Sequence, residues 1–144
     1  MNIFEYQKKL PSKTRINEMM KRAIEMSGSD ITELVTEQQV KGMDKNDSNI
    51  RPSYTTERYA REKISRFASE APAGTPDLKR SGETHRTMSL FVKGSVYDFN
   101  AQTRYFTHLK KRYNDAYAVA KSNLKSAQSF VTSNFISIFK NETK

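Results

Sequence analysis

The chain contains no cysteine, and its 144 residues include only five glycines and four prolines. The lack of cysteine excludes disulfides, zinc–thiolate sites and a cysteine nucleophile, and it is typical of a protein made in a reducing cytosol. No apolar run approaches the roughly 18 residues of a transmembrane helix, so we expect no membrane span and no membrane partner. The start, MNIFEYQKKLPSK, has no apolar core of a secretory signal, and we expect none.

Charge is abundant but unevenly distributed. Residues 1–50 carry eight basic and eight acidic side chains, residues 51–100 nine and six, and residues 101–144 eight and two. The net charge of +9 is therefore concentrated in the C-terminal third, which could contact nucleic acid or an acidic partner. With 35% hydrophobic residues, we expect one domain over 1–144 with a modest core, a composition that favours oligomerisation.

Apolar spacing predicts two N-terminal helices after an extended arm over about residues 1–11. Three side chains of this arm are candidate anchors: Ile3, Phe4 and Tyr6. Ser12 is a suitable N-cap for the first helix, and Gly28 can end it. Asp30 with Glu33 resembles a capping box for the second helix, although the two pieces could equally be one kinked helix.

The segment MDKNDSNIRPSY predicts a tight turn or hairpin, because Asp, Asn and Ser favour turns. A calcium loop starting at Asp44 would need Gly at its sixth position and Glu at its twelfth. Asn49 and Thr55 stand there, so an ordinary turn is the better interpretation. Thr55 or Thr56 can then cap a helix that must stop near Ala71, before a proline. Its side chains on one face are Tyr59, Lys63, Ile64 and Phe67.

Alternating apolar residues after Thr87 predict a β-hairpin over about 87–101, with Gly94 and Ser95 in its turn. Helical spacing then predicts a long C-terminal amphipathic helix from about Asp115 to Phe139. The fold class expected is therefore α+β, with N-terminal helices, a small antiparallel sheet and this long helix.

Two prolines and two glycines lie within residues 71–82, just before the hairpin. A phosphate-binding loop would need Lys directly after its second glycine, whereas Glu83 follows Gly82 here. We therefore predict a structural corner in which Leu78 is buried and Gly82 lies in a turn or in close-packed backbone, leading to a strand that begins near Thr87. The residues of this corner are Gly74, Pro76, Leu78 and Gly82.

No catalytic residues, cofactor site or metal site can be assigned from the sequence, and we expect no enzymatic activity. His85 and His108 have no other ligand at metal-binding spacing, so a surface or hydrogen-bonding role is the better interpretation. Ser81 lies outside any G-x-S-x-G nucleophile motif.

A basic cluster near residue 110 is the best candidate for binding an anionic partner. Its cations are Arg104, Lys110, Lys111 and Arg112, and aromatic residues are interleaved with them. Such a mixture can bind phosphates and stack on nucleobases. Helical spacing of Tyr105, Phe106 and Leu109 favours the other interpretation, in which the aromatic rings are core and the cations form a solvated face.

The order of three segments resembles small structural proteins of tailed bacteriophages, especially phages that infect Bacteroidetes. The segments are TELVTEQQVKGMDKNDSNIRPSYTTERYAREK, GTPDLKRSGETHRTMSLFV and YFTHLKKRYNDAYAV. The similar class is the head–tail connector, neck or tail-completion proteins, which share a G-x-D turn and a G-x-P-x-L-x-x-[ST]-G corner. The resemblance covers roughly residues 30–120. Where that class often has Lys-Tyr-Gly, this chain has Arg112-Tyr113-Asn114.

The resemblance implies an α+β, non-enzymatic virion protein, made in the host cytoplasm, that forms a ring of identical copies. Its neighbours would be portal or tail components, and its basic residues could contact the DNA backbone. The alternative is a small basic nucleic-acid-binding phage protein with a packaging or regulatory role, which the charge of +9 also fits.

Overall fold

The computed structural model describes residues 10–79, 81–94 and 96–144, and the α+β class is confirmed in them. The predicted N-terminal arm falls almost wholly outside these residues, as do Arg80 and Ser95. The elements are α1 (Lys13–Met26), α2 (Gly28–Val40), α3 (Glu57–Phe67), α4 (Glu83–Thr87), β1 (Ser89–Lys93), β2 (Val96–Asn100), α5 (Phe106–Arg112) and α6 (Leu124–Glu142). No helix in these ranges is long and apolar enough to cross a membrane.

The helices α1 and α2 meet at Ser27, which belongs to neither. Ser12 caps α1 as predicted, since its hydroxyl accepts a hydrogen bond from the Arg15 amide at 3.2 Å. The prediction that Gly28 ends the first helix is wrong, because Gly28 begins α2. Backbone bonds continue across the joint, from Ser27 N to the Ala23 carbonyl at 3.1 Å and from Ile31 N to the Ser27 carbonyl at 3.0 Å. The helices α1 and α2 therefore come close to the predicted alternative of a single kinked helix.

The predicted hairpin is confirmed as two antiparallel strands, β1 and β2. Leu90 pairs with Phe99 and Val92 with Tyr97, which places these apolar side chains on one face. The strand begins at Ser89 rather than near Thr87, because Glu83–Thr87 forms the short helix α4. Phe99 is almost completely buried, so this face covers the core.

The C-terminal helix begins nine residues later than the sequence spacing predicts, at Leu124 instead of Asp115. The preceding segment instead contains two 3₁₀ turns, at Asn114–Ala116 and Lys121–Asn123, and two glutamines of α2 bind its backbone. The Gln38 amide donates to the Ala118 carbonyl at 2.6 Å, and its oxygen accepts from Ala120 N at 2.9 Å. Gln39 donates to the Ala116 carbonyl at 2.9 Å. These tertiary hydrogen bonds outweigh the local helical preference.

The main core lies between α2, the hairpin and the segment that follows α5. Its central buried side chains are Ile31, Val35, Ile50, Phe99, Phe106 and Tyr117. A smaller cluster joins α1 to α6 through Met19, Ala23 and Ile138. Only Met19 and Ala23 of α1 are buried, so most of α1 faces solvent.

Candidate interaction surface

The described residues of the corner, 74–79, 81 and 82, lie outside the helices and strands and lead into α4. Gly74 and Gly82 have φ values of +81° and +79°, in the left-handed region where glycine is favoured. Pro76 is completely buried. Leu78, predicted to be buried, packs against the main core but is only half-buried, and its backbone is left-handed at φ +54°.

The G-x-D turn and the corner pack directly against each other. Gly42, with φ +73°, begins the turn. A Cβ at Gly42 would lie 2.7 Å from Thr75 Cγ2 and 2.8 Å from Ala71 Cβ, so only glycine fits. The carbonyl of Gly74 also accepts a hydrogen bond from Tyr54 N at 3.0 Å. The G-x-D turn and the corner, which both belong to the sequence resemblance, therefore pack together as one structural unit.

The turn itself is held by its own first carboxylate, as expected for an ordinary turn. Asp44 Oδ1 accepts from Asn46 N at 2.8 Å and from Ser48 N at 3.1 Å. Asp47 then accepts from the Ser122 hydroxyl at 2.6 Å, which ties the turn to the segment before α6.

A buried ion pair fixes α3 onto the corner. Lys63 Nζ lies 2.7 Å from Asp77 Oδ1, and it also donates to the Lys79 carbonyl. Asp77 further accepts from the Ser69 hydroxyl at 2.8 Å and from Lys79 N at 3.0 Å. These hydrogen bonds satisfy both buried charged groups, so the pair has a structural role: it attaches α3 to the corner. The sequence signal for it was a lysine on the apolar face of α3, but nothing local identified its partner.

Two ionisable side chains near this pair are perturbed by burial. Burial raises the pKa of Tyr54, and the carboxylate of Asp77 adds to the effect. Burial lowers the pKa of His85, opposed by Asp77 and reinforced by Lys79 and Lys63. His85 Nε2 is buried and has no hydrogen-bond partner among the described residues, so the expected hydrogen-bonding role is not seen at that atom.

The basic cluster is divided between the fold and the surface. Lys110 has a structural role, since its Nζ binds β2: it lies 2.6 Å from Asp98 Oδ2 and 3.1 Å from the Phe99 carbonyl. Burial opposes ionisation of Asp98, but hydrogen bonds from Lys110 and the Phe99 amide outweigh it and lower the Asp98 pKa. The other three cations are exposed: Arg104, Lys111 and Arg112.

The aromatic rings of the cluster are divided in the same way. Phe106 and Tyr113 are buried in the core, so they offer no stacking surface. Tyr105 is 56% exposed, and the Arg104 guanidinium lies over its ring at 4.7 Å. Arg112 donates to the Tyr113 hydroxyl at 3.1 Å.

Two open grooves flank the hairpin. The first, called the basic groove, has a volume of about 580 Å³ and is bordered by Phe91, Asn100, Lys110 and Lys111. The second, called the acidic groove, has a volume of about 630 Å³, and its carboxylates are Glu25, Glu33 and Glu37. No residue lines both grooves. The chain therefore presents surfaces of opposite charge at two separate places.

No protein-family model, no curated protein and no solved structure matches this chain.

Proposed function

We propose that this chain is a structural, non-enzymatic virion protein of a tailed bacteriophage, located in a ring of identical copies at the head–tail junction. Its neighbours in this proposal are further copies of itself and portal or tail components. The basic surface faces either an acidic subunit or the backbone of the passing DNA. The assignment to this class of phage protein is motivated by the sequence resemblance over residues 30–120.

The supporting observation is apolar surface grouped on two peripheral elements. On α1, Ile16 and Met20 are each 39% exposed and lie one turn apart on the same face. On the hairpin, Phe91 is 40% exposed and Val96 is 62% exposed. Isolated exposed side chains are normal, but grouped ones indicate surfaces that a partner covers. A polar chain with a small core gains stability from such assembly.

Localisation of the protein in virions tests this proposal directly. An antibody raised against the full chain should label the neck of intact particles from the phage that encodes it. The reconstruction of the neck should contain density for α1, α6 and the hairpin in every copy of a ring. Particles that form normally, yet lack the protein at the junction and elsewhere, would refute the proposal.

A second candidate function, binding to single-stranded nucleic acid, is favoured by the exposed Arg104–Tyr105 pair. An exposed aromatic side chain can stack on a nucleobase, and the guanidinium beside it can bind a phosphate of the nucleic-acid backbone. Fluorescence anisotropy with labelled oligonucleotides should then show binding at low salt that weakens as salt rises. The variant Y105A should bind several-fold more weakly, and Y97A removes an aromatic ring outside the cluster as the control. Equal affinity of both variants with wild type would exclude this candidate.

A further inference from the structure

The exposed face of α2 is acidic and has no ion-pair partner within the described residues. This helix, GSDITELVTEQQV, contains three carboxylates and no basic residue. Asp30, Glu33 and Glu37 recur at helical spacing and are all exposed. None takes part in a salt bridge among the described residues. Since the chain is strongly basic as a whole, such an unpaired acidic stripe indicates complementarity to something outside the fold.

Lys111 and Arg112, at the end of α5, are cations that also lack an ion-pair partner among the described residues. The C-terminal third contains two acidic residues, and both are already paired. Asp115 lies 2.7 Å from Lys45, and Glu142 lies 2.7 Å from both Arg15 and Arg22. Lys111 and Arg112 are left exposed and have no carboxylate partner in the parts of the chain that the structure describes.

The two grooves differ in charge, and each includes an apolar residue of the hairpin in its border. Glu25, Glu33 and Glu37 line the acidic groove, and Glu25 is paired with Lys21 at 3.9 Å, which leaves Glu33 and Glu37 without a partner among the described residues. The guanidinium of Arg86 also lines this groove, and it donates to the Ser81 carbonyl at 3.2 Å. The half-buried Leu90 lines the acidic groove, and Phe91 lines the basic groove. Each groove can therefore offer apolar contact as well as charge to the same kind of partner.

We infer that the acidic groove of one copy binds the basic α5 end of a second copy of this chain. This inference rests on the proposed function and names the interface between ring subunits. Pairing either groove with itself would bring like charges together, which disfavours a two-fold dimer. Pairing unlike grooves is a head-to-tail contact. Repetition of such a contact closes into a ring when the rotation between neighbouring copies divides a full turn, and otherwise gives a filament.

A charge-swap experiment tests the contact. The variant E33K/E37K reverses the acidic groove, and the variant K111E/R112E reverses the basic end of α5. All four positions are exposed, so circular dichroism should show folded protein in both cases. Sedimentation at low salt should show assembly of wild type, and self-association at least about tenfold weaker for each variant alone.

Mixing the two variants is the decisive measurement. In a mixture, each variant meets a partner of opposite charge at both of its grooves, so assembly should return. The control E57K/E70K makes the same change in net charge as E33K/E37K, at two exposed positions outside both grooves, and it should assemble as wild type does.

The outcomes separate this inference from the proposed function. If wild type assembles and the charge variants assemble equally well, or the mixture does not recover, the groove pairing is wrong while the ring proposal stands. If the mixture recovers but virions lack the protein, the neck proposal is wrong while the groove pairing stands. A wild-type protein that stays monomeric at low salt and high concentration overturns the groove pairing as well.

Discussion

Lys63 Nζ lies 2.7 Å from Asp77 Oδ1, and each side chain keeps only 3% of its surface exposed. The pair joins α3 to the corner, and α3 buries no other residue than Lys63. The other residues of α3 are half-buried or exposed, so this pair is a main attachment of the helix to the corner. Because both charged groups are removed from water, the loss of either one leaves the other buried without a counter-charge, which is strongly destabilising.

The variant D77A should strongly destabilise the protein, because it leaves the ammonium of Lys63 buried without its counter-charge. The expected loss in the free energy of unfolding is about 3–5 kcal/mol. Urea denaturation followed by circular dichroism measures it. The matched control is R66M on the same helix, which removes an exposed cation paired with Glu62 at 2.9 Å. That surface pair should contribute less than about 1 kcal/mol. Similar losses for both variants would show that the buried pair is not the attachment.

Gly42→Ala should disrupt the contact between the turn and the corner. The added Cβ would meet Thr75 Cγ2 at 2.7 Å, on a backbone whose φ is +73°. Steric overlap and left-handed geometry together should cost about 2–4 kcal/mol of unfolding free energy. Gly74→Ala is the matched control, because its φ is +81° but its Cβ would meet nothing within 4 Å. It should cost only about 1–2 kcal/mol. Equal melting-temperature losses for the two variants would contradict the predicted clash.

Local sequence signals correctly predicted several features that depend on neighbouring residues, although they misplaced Gly28 and missed the short helix α4. Ser12 caps α1, and Thr56 caps α3 by accepting from Tyr59 N at 3.3 Å. The alternation around Leu90 and Phe99 predicted the hairpin, and glycine at position 82 has the left-handed geometry expected of a turn. In each case the cause lies within a few residues of the effect.

Local signals were insufficient wherever partners lie far apart along the chain. The apolar spacing before Leu124 is helical, yet Gln38, 80 residues from Ala118, replaces the helical hydrogen bonds there. The basic cluster gave no indication that Asp98 would bind Lys110 and remove it from the surface. The acidic groove was not predicted at all, because it needs α2 and β1 side by side.

Gln38→Leu should loosen the segment before α6. The substitution keeps the side-chain volume but leaves the Ala118 carbonyl and the Ala120 amide without their partner. Two unsatisfied buried groups should cost about 2–4 kcal/mol, and exchange of the Ala120 amide hydrogen should accelerate. Hydrogen exchange followed by NMR measures the second effect at a single site. The control Q128L replaces an exposed glutamine of α6 and should leave Ala120 protected. An unchanged exchange rate in Q38L would mean that other contacts hold the segment.

Protonation of His85 should weaken the fold in mild acid. Its pKa in the folded protein is lowered, first by burial, with Lys79 and Lys63 adding to the effect and Asp77 opposing it. A group whose folded pKa is depressed contributes stability above its unfolded pKa, about 6.5 for histidine, and loses it as pH falls. Urea unfolding from pH 7.5 to 5 should therefore show a steeper loss for wild type than for H85Q. The control H108Q removes an exposed imidazole and should keep the wild-type slope. A slope in H85Q as steep as that of wild type would assign the pH dependence to other groups.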